Sequence, residues 1–527
     1  MFKFFRRNAK SHPAPEAVRE VFEQVLDLNG IDADANFFEL GGDSMMATIV
    51  ATSLEERGHT IPSTAVFDHP TIASLVTFIQ SGGATPSARD ARTITLQPRT
   101  PTGPTRLRAS LLQERLWPYE RNPDPKRFQL RGEGAARLCG PLDIEALDYS
   151  LRALAQRHEV LRTSFLEDDG SVFVDIQPTA NITLEHKAAA GATLDERRAQ
   201  AAQLTSEITS QVFDLSHPPP MRCALIKIDD NEHVLAVSTH HIISDGWSMG
   251  LLVNELATTY NARVAGETPA LPELAYQFAD YAAWHRAWLE SDAGLASKVF
   301  WRDYLKGLPP ALDIPLPADQ PRQSVFNFPV RRTVVEIPAD IQQALKSVAK
   351  THQTSVHAVF LAVVLSALKK LSDVDDLPIG IMHANRAAAG TQNLIGFFST
   401  LVLLRFTYAQ KTPTLTELIK QVHAATRAVD PHVGVPIGAL MDDGIVDTLP
   451  RIFVDSVPRP ALPEMTDLTV EDFPFEHPPL FAVADIAVFL FERGPSLSCI
   501  VGTNADMFSD AAAARLSAAL TENLQRL

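Results

Sequence analysis

The sequence predicts a multidomain chain, with a small all-α unit first and a larger α/β region of two lobes after it. Three observations carry that expectation. Residues 13–81 hold their apolar positions at helical spacing. Residues 82–104 are broken by Gly82, Gly83, Pro86, Pro98, Pro101, Gly103 and Pro104, the composition of a linker partly stiffened by proline. From residue 105 onward helical and strand-like patterns alternate, which indicates layered strands and helices. At 527 residues the chain also exceeds one ordinary hydrophobic core.

In order, residues 1–12 begin Met1-Phe2-Lys3-Phe4-Phe5-Arg6-Arg7. Basic and aromatic residues without an apolar stretch make a tail or a short docking segment, not a secretory signal. Glu16 to Leu28 carries Val18, Val21, Phe22, Val25 and Leu26 on one helical face and ends at Gly30. Two more helices are expected at Met45 to Leu54 and at Ile72 to Ile79. Between the first two, Gly41-Gly42 frees the backbone for a tight turn, and Asp43-Ser44 stands where a helix starts. Ser44 is there either an N-cap or an exposed hydroxyl in the first turn. A hydrolase nucleophile in G-x-S-x-G would need glycine at Met46.

In the larger region, helices are expected at Leu142 to Leu161, Arg197 to Val212, Ile341 to Ala349, Val356 to Leu371 and Ser509 to Leu527. Strands are expected at Val172 to Val174, Cys223 to Ile228, Val234 to Val237, Val334 to Ile337, Leu401 to Phe406 and Ile486 to Phe491. The division between lobes falls near 275–290, giving lobes of 105–280 and 281–527. Trp284, Trp301 and Tyr304 read as core or interface aromatics, and Asp373, Asp375 and Asp376 as a solvated loop.

Apolar residues make up 45% and charged residues 21%, the balance of a globular protein. The formal net charge of −16 argues against nucleic acid or anionic membrane as the main partner. Cys139, Cys223 and Cys499 are odd in number and widely spaced. Neither a disulfide framework nor a metal site is expected, and a reducing cytoplasm fits. The longest apolar run, Ala358 to Leu365, is well short of the roughly 20 residues that span a bilayer.

The stretch richest in chemistry is His240-His241-Ile242-Ile243-Ser244-Asp245-Gly246. It follows an apolar strand and leads into a helix opened by Trp247. Side chains alternate along a strand, so the two imidazoles face opposite ways and make a poor pair of ligands for one metal. A histidine exchanges a proton near neutral pH. His241 with Asp245 four residues on therefore suits a base with an orienting carboxylate, while core packing and metal ligation stay open on those residues alone.

The surroundings narrow this. Phe37-Phe38-Glu39-Leu40-Gly41-Gly42-Asp43-Ser44, with Phe67-Asp68-His69-Pro70-Thr71 downstream, closely resembles the peptidyl carrier proteins of nonribosomal peptide synthetases. The stretch from His240 to Ser248 resembles the HHxxxDG signature of nonribosomal peptide condensation domains, relatives of chloramphenicol acetyltransferase. Ser110 to Trp117, Arg157 to Phe165, Tyr276 to Trp284, Asn385-Arg386 and Asn393 to Leu401 are similar to that family's other motifs, in its order and spacing. Ser399 departs from the usual asparagine, and His432 to Gly438 and Arg451 to Val454 match weakly.

The resemblance implies a four-helix carrier at 13–81 bearing 4′-phosphopantetheine on Ser44, beside Asp43, and two acetyltransferase-like lobes with a tunnel between them. It implies that His241 is the active-site histidine, His240 a packing neighbour, and Gly246 and Trp247 parts of the motif. Asp245 is expected to be structural, held by an ion pair to Arg386 or, second, Arg162. The implied reaction is aminolysis or alcoholysis of an acyl thioester, with amide formation expected ahead of ester formation or release onto a free amine. A non-catalytic docking platform is the rival; epimerisation shares the histidines. Expected partners are a phosphopantetheinyl transferase, an upstream synthase or adenylating enzyme that loads Ser44, and an acceptor carrier or small amine or alcohol supplied from elsewhere.

Overall fold

The computed structural model describes residues 13–26, 28, 30–38, 40, 42, 44–59, 61, 64–82, 105–120, 129–179, 182–308, 320, 329–352, 354–372, 374–386, 388, 390–408, 412–457, 462–476, 484–493 and 496–527. The expectations for the tail at 1–12, for Asp43, for the linker beyond Gly82 and for Asp373 lie outside the described residues.

The first unit contains the helices Ala14–Leu26, Ser44–Glu56, Thr64–Asp68 and Ile72–Gln80. Three follow from periodicity. The remaining one has 5 residues, too few to show a period, and only the family resemblance anticipates it. Val18, Val21, Phe22 and Val25 close with Val50, Leu54 and Leu75 around Phe37 in one core. Thr71 and Ser74 cap the last helix reciprocally.

Beyond residue 105 three sheets organise the chain, the smallest pairing Ser171–Ile176, where a strand is expected at Val172 to Val174, with Thr105–Arg108 and Thr163–Asp168. The first lobe's larger sheet has five strands in the order Thr469–Asp472, Arg131–Cys139, Glu232–His240, Met221–Asp229, Leu184–Ala188. Helices Ile144–Arg157 and Gly246–Val264 cover one face through Leu147, Leu151, Leu252 and Leu256, and Leu194–Thr209 covers the other through Ala201 and Ile208. The second lobe has six strands in the order Thr400–Thr407, Asp376–His383, Ile452–Val457, Ile486–Arg493, Ser496–Asn504, Val330–Ile337. The helix Val356–Leu371 is its buried spine, which explains the apolar run at 358–365 without a membrane. Among the described residues no single helix is long and apolar enough to cross a bilayer. On the opposite face of this sheet, Phe453, Ala484 and Ala487 cluster with Met382, Leu401 and Phe489, and no described helical residue joins them.

The lobes do not divide as cleanly as the 280/281 boundary expects. Strand Thr469–Asp472 leaves the second lobe and pairs antiparallel with Arg131–Cys139, Val470 opposite Leu138. The boundary therefore divides the sequence but not the sheets. Arg131–Cys139 reads RGEGAARLC, with no β-branched residue to mark it, and its pairing with Glu232–His240 makes it a strand. The helix expected to reach Leu161 ends at Arg157, because His158 turns inward onto Glu255 Oε2 at 2.7 Å. Asp375 and Asp376 are paired rather than merely solvated: Asp375 contacts Lys369 at 2.6 Å, and Asp376, which begins a strand, contacts Arg405 at 2.5 Å. Trp301 is fully buried, and Trp284 stacks with Trp288 along one helix, as expected of core aromatics.

Candidate active site

His240 is the last residue of the strand Glu232–His240, and His241 begins the tight turn His241–Ile243. Two backbone bonds pin the pair: the His240 amide donates to Pro220 O at 2.9 Å and the His241 amide to Leu130 O at 2.8 Å. Their side chains then part. His240 is fully buried; its Nδ1 accepts the Ile242 amide at 3.0 Å, so its ring proton sits on Nε2. That nitrogen lies 3.1 Å from Glu120 Oε1, close but out of line for a hydrogen bond. Gln129 donates to the second Glu120 oxygen at 2.6 Å and bonds the backbone of Phe213 in both directions. His240 is thus locked from behind, and Glu120 and Gln129 belong to a support that sequence reasoning missed. Neither lies in a recognised motif.

His241 faces the second lobe. Its ring meets Phe397 edge to face with centroids 4.8 Å apart. Nδ1 is buried without a hydrogen-bond partner among the described residues, which leaves Nε2 as the nitrogen on the accessible side. Burial holds the imidazole below its usual 6.5; the negative charge of Asp245 pulls the other way without prevailing. A neutral imidazole at neutral pH has a free lone pair for a proton. Gln113, from the Ser110–Trp117 motif, donates to Ile242 O at 2.9 Å and holds the turn down.

Asp245 caps the helix Gly246–Val264, its Oδ1 accepting from the Ser248 amide at 2.8 Å. It also receives Arg386 Nη2 at 3.1 Å and the amides of Phe398 and Ser399 at 3.0 and 3.1 Å. Burial alone would raise its carboxyl; Arg386 and the amide donors outweigh that and hold it below the ordinary carboxylate range. Arg386 Nη1 is held by Thr391 O and Leu394 O, and its guanidinium lies 4.0 Å over the Phe398 ring. Ser248 Oγ donates to Gly396 O at 2.8 Å and accepts the Gly396 amide at 3.0 Å, another link that the motifs alone do not reveal. Together these bonds tie the histidine turn to residues 386–399 of the second lobe.

The other expected residues separate from this knot. Arg162 contacts Gln177 O and lies 3.6 Å from Glu159, so it is not the partner of Asp245. Trp247 donates through Nε1 to Gln392 O at 2.9 Å. Gly246 is exposed with nothing within 4 Å of where a Cβ would stand, so sterics do not demand glycine there. At Gly396, by contrast, a Cβ would fall 2.0 Å from the Phe278 ring. The departure at Ser399 is benign for the knot, because its backbone amide makes the contact. His432, in the weakly matching motif, stacks on Phe300 at 3.9 Å and bonds Ser297, a packing role.

In the first unit, Ser44 is the first residue of the 13-residue helix Ser44–Glu56. The turn before it requires glycine: a Cβ at Gly42 would lie 2.3 Å from the Phe37 ring and 2.7 Å from Phe37 O. A serine at the start of a helix, where amides and dipole favour a phosphate, fits attachment of a phosphodiester-linked arm.

Comparison with known proteins agrees with both units. The family model described as a condensation domain matches residues 105–451, and the phosphopantetheine attachment site model matches 16–79. The chain belongs to the condensation-domain family. It carries that domain behind a carrier domain, in the manner of nonribosomal peptide synthetases. A linear gramicidin synthase from Brevibacillus parabrevis is 32% identical over 96% of this chain, which spans 6% of that protein. Phosphinothricin tripeptide synthetase PhsB of Streptomyces viridochromogenes is 33% identical over 77% of this chain and 33% of its own length. Among solved structures, the complex of the X-domain and OxyB from teicoplanin biosynthesis is 26% identical, with TM-score 0.68 over 82% of this chain and 95% of that one. The first condensation domain of the CDA synthetase shares the fold, with TM-score 0.66, 17% identity, and coverage of 80% and 96%.

Proposed function

We propose that the chain transfers an acyl or peptidyl group, presented on Ser44, to an amine supplied by another protein or small molecule, forming an amide. The observation that carries this is the state of His241: a neutral imidazole with Nε2 on the accessible side, on a turn clamped by Gln113, Asp245 and Arg386. When attached, 4′-phosphopantetheine supplies the thiol on which the donor acyl group is carried. An acyl thioester is already activated, so the chain has two tasks. It holds the nucleophile against the carbonyl, and it takes the proton that the attacking nitrogen loses, at His241 Nε2. Asp245 and Arg386 are positioning residues, acting through the turn and not on the substrate. Loading of Ser44 requires a phosphopantetheinyl transferase and an upstream synthase or adenylating enzyme. A hydroxyl in place of the amine gives an ester by the same proton transfer.

A second reading is a docking platform, motivated by the similarity to an X-domain solved in complex with OxyB. Intact histidines and the Gln113 clamp favour catalysis. The test loads Ser44 with an acyl-pantetheine and follows its discharge by intact-protein mass spectrometry with amine and alcohol acceptors. His241→Ala is expected to slow discharge by roughly 10²–10⁴. Discharge at the wild-type rate would leave the platform reading. Ser44→Ala is expected to abolish loading in the first place.

A further inference from the structure

Asp455 stands on the face of the second lobe's sheet that, around Phe453, no described helix covers. In the strand Ile452–Val457, Ile452 and Val454 point into the helix-covered core, so Phe453, Asp455 and Val457 point the other way. Its lateral neighbour is Phe489, itself 5.4 Å from Phe453 and 5.8 Å from Phe491. On the other side, the parallel pairing of Phe453 with Gly380 puts Asp455 level with Met382, which pairs with Leu401. The carboxyl is therefore set in a floor of phenylalanine, methionine and leucine.

Among the described residues it has no counter-charge. Its described hydrogen bond is to the amide of the next residue, Ser456, at 2.9 Å. By alternation Arg405 shares this face, but it stands four residues along from Leu401 and is already paired to Asp376. Arg332 and Glu336 are on Val330–Ile337, the edge strand three places across from Ile452–Val457, roughly 14 Å away at about 4.8 Å per strand. Burial pushes the Asp455 carboxyl up to about 8. Contrast Asp485, fully buried and paired to Arg451 at 2.7 Å. A partly accessible carboxyl on an apolar wall is a site that a cation would complete.

The wall leads to the histidine. Leu401, level with Asp455, is two residues beyond Ser399, whose amide binds Asp245, and four beyond Phe397, which packs on His241. Counting two strand spacings and four extended residues, the path from Asp455 to Phe397 is at most about 25 Å.

We propose that this face receives the acceptor, and that Asp455 selects acceptors with an apolar stem and a second, protonated amine besides the nucleophile. This rests on the condensation reading. The cationic acceptor is either a basic aminoacyl group on a pantetheine arm or a free alkyl diamine; both offer a methylene stem for the phenylalanines and an ammonium for the carboxylate. The two nitrogens divide the work. One loses its proton toward His241 and attacks, while the other keeps its proton and pairs with Asp455.

The experiment uses the full chain with acyl-loaded Ser44 and two matched pairs: lysyl- against norleucyl-pantetheine, and 1,5-diaminopentane against pentylamine. Wild type is expected to favour the member with the second amine in at least one pair by tenfold or more in kcat/KM, through KM. Asp455→Asn brings that ratio close to one, and Asp455→Glu retains part of it. The pair that discriminates identifies the source, tethered or free. Calorimetric binding of the same four compounds reads the proposal without turnover, and thermal melting shows that the variants are folded. Equal binding of the two members of each pair by wild type, or a preference that Asp455→Asn leaves intact, overturns it. Cation-selective binding lost in Asp455→Asn, together with His241→Ala discharging as fast as wild type, upholds the site and overturns the condensation reading instead.

Discussion

Asp245 is buried and Asp455 half-buried, and the two aspartates have opposite surroundings. Asp245 gathers an arginine and three amides, and its carboxyl is held below the ordinary range. Asp455 has a single described amide donor, from its own neighbour, and is pushed up to about 8. A satisfied buried carboxylate fixes geometry; an unsatisfied one is a place where something else can bind. The knot around Asp245 keeps His241 where it is, whereas the face around Asp455 is free to choose what reaches it.

The sharpest way to break this contrast is to remove Arg386. Arg386→Ala leaves Asp245 buried and charged, and a loss of about 3–5 kcal/mol is expected by denaturant unfolding. A loss below about 1 kcal/mol would mean the pair does not hold the lobes together. Glu120→Ala removes a buried acceptor of Gln129 Nε2 and the carboxylate that faces His240 Nε2, at about 1–3 kcal/mol by the same measurement. If it costs nothing, the support behind His240 is not structural. At Asp455 the sign reverses. Its folded pKa of about 8 lies above the usual 3.8, so between those values the folded chain keeps a proton that the unfolded chain has lost. The associated stability is complete below pH 3.8 and falls as pH rises through the window. Asp455→Asn is therefore expected to raise Tm at about pH 8 relative to wild type, and less so at about pH 5. An equal effect at both values would show that Asp455 titrates normally.

The histidine turn was legible because its chemistry is concentrated: two histidines, an aspartate and a glycine within seven residues, flanked by strand and helix patterns. The partner of Asp245 was legible only as a choice, since Arg386 lies 141 residues away and spacing does not distinguish it from Arg162. Glu120, Gln129 and Ser248 were not legible, because their roles depend on which elements meet across the fold. The same holds for the strand 469–472, whose four residues have no pattern strong enough to reveal that the chain crosses back to the first sheet. Asp455 follows directly on a weakly matching motif, and only the sheet shows that its alternation points away from the helices.

The central claim is that His241 takes the proton during transfer, and the direct measurement is the single-turnover rate of acyl discharge from Ser44 against pH, corrected for ionisation of the acceptor amine. Wild type should show an acid limb below 6.5, following the depressed imidazole. In His241→Ala the rate should fall and that limb should vanish. The same acid limb in both proteins would contradict the account, because the titrating base would then be another group.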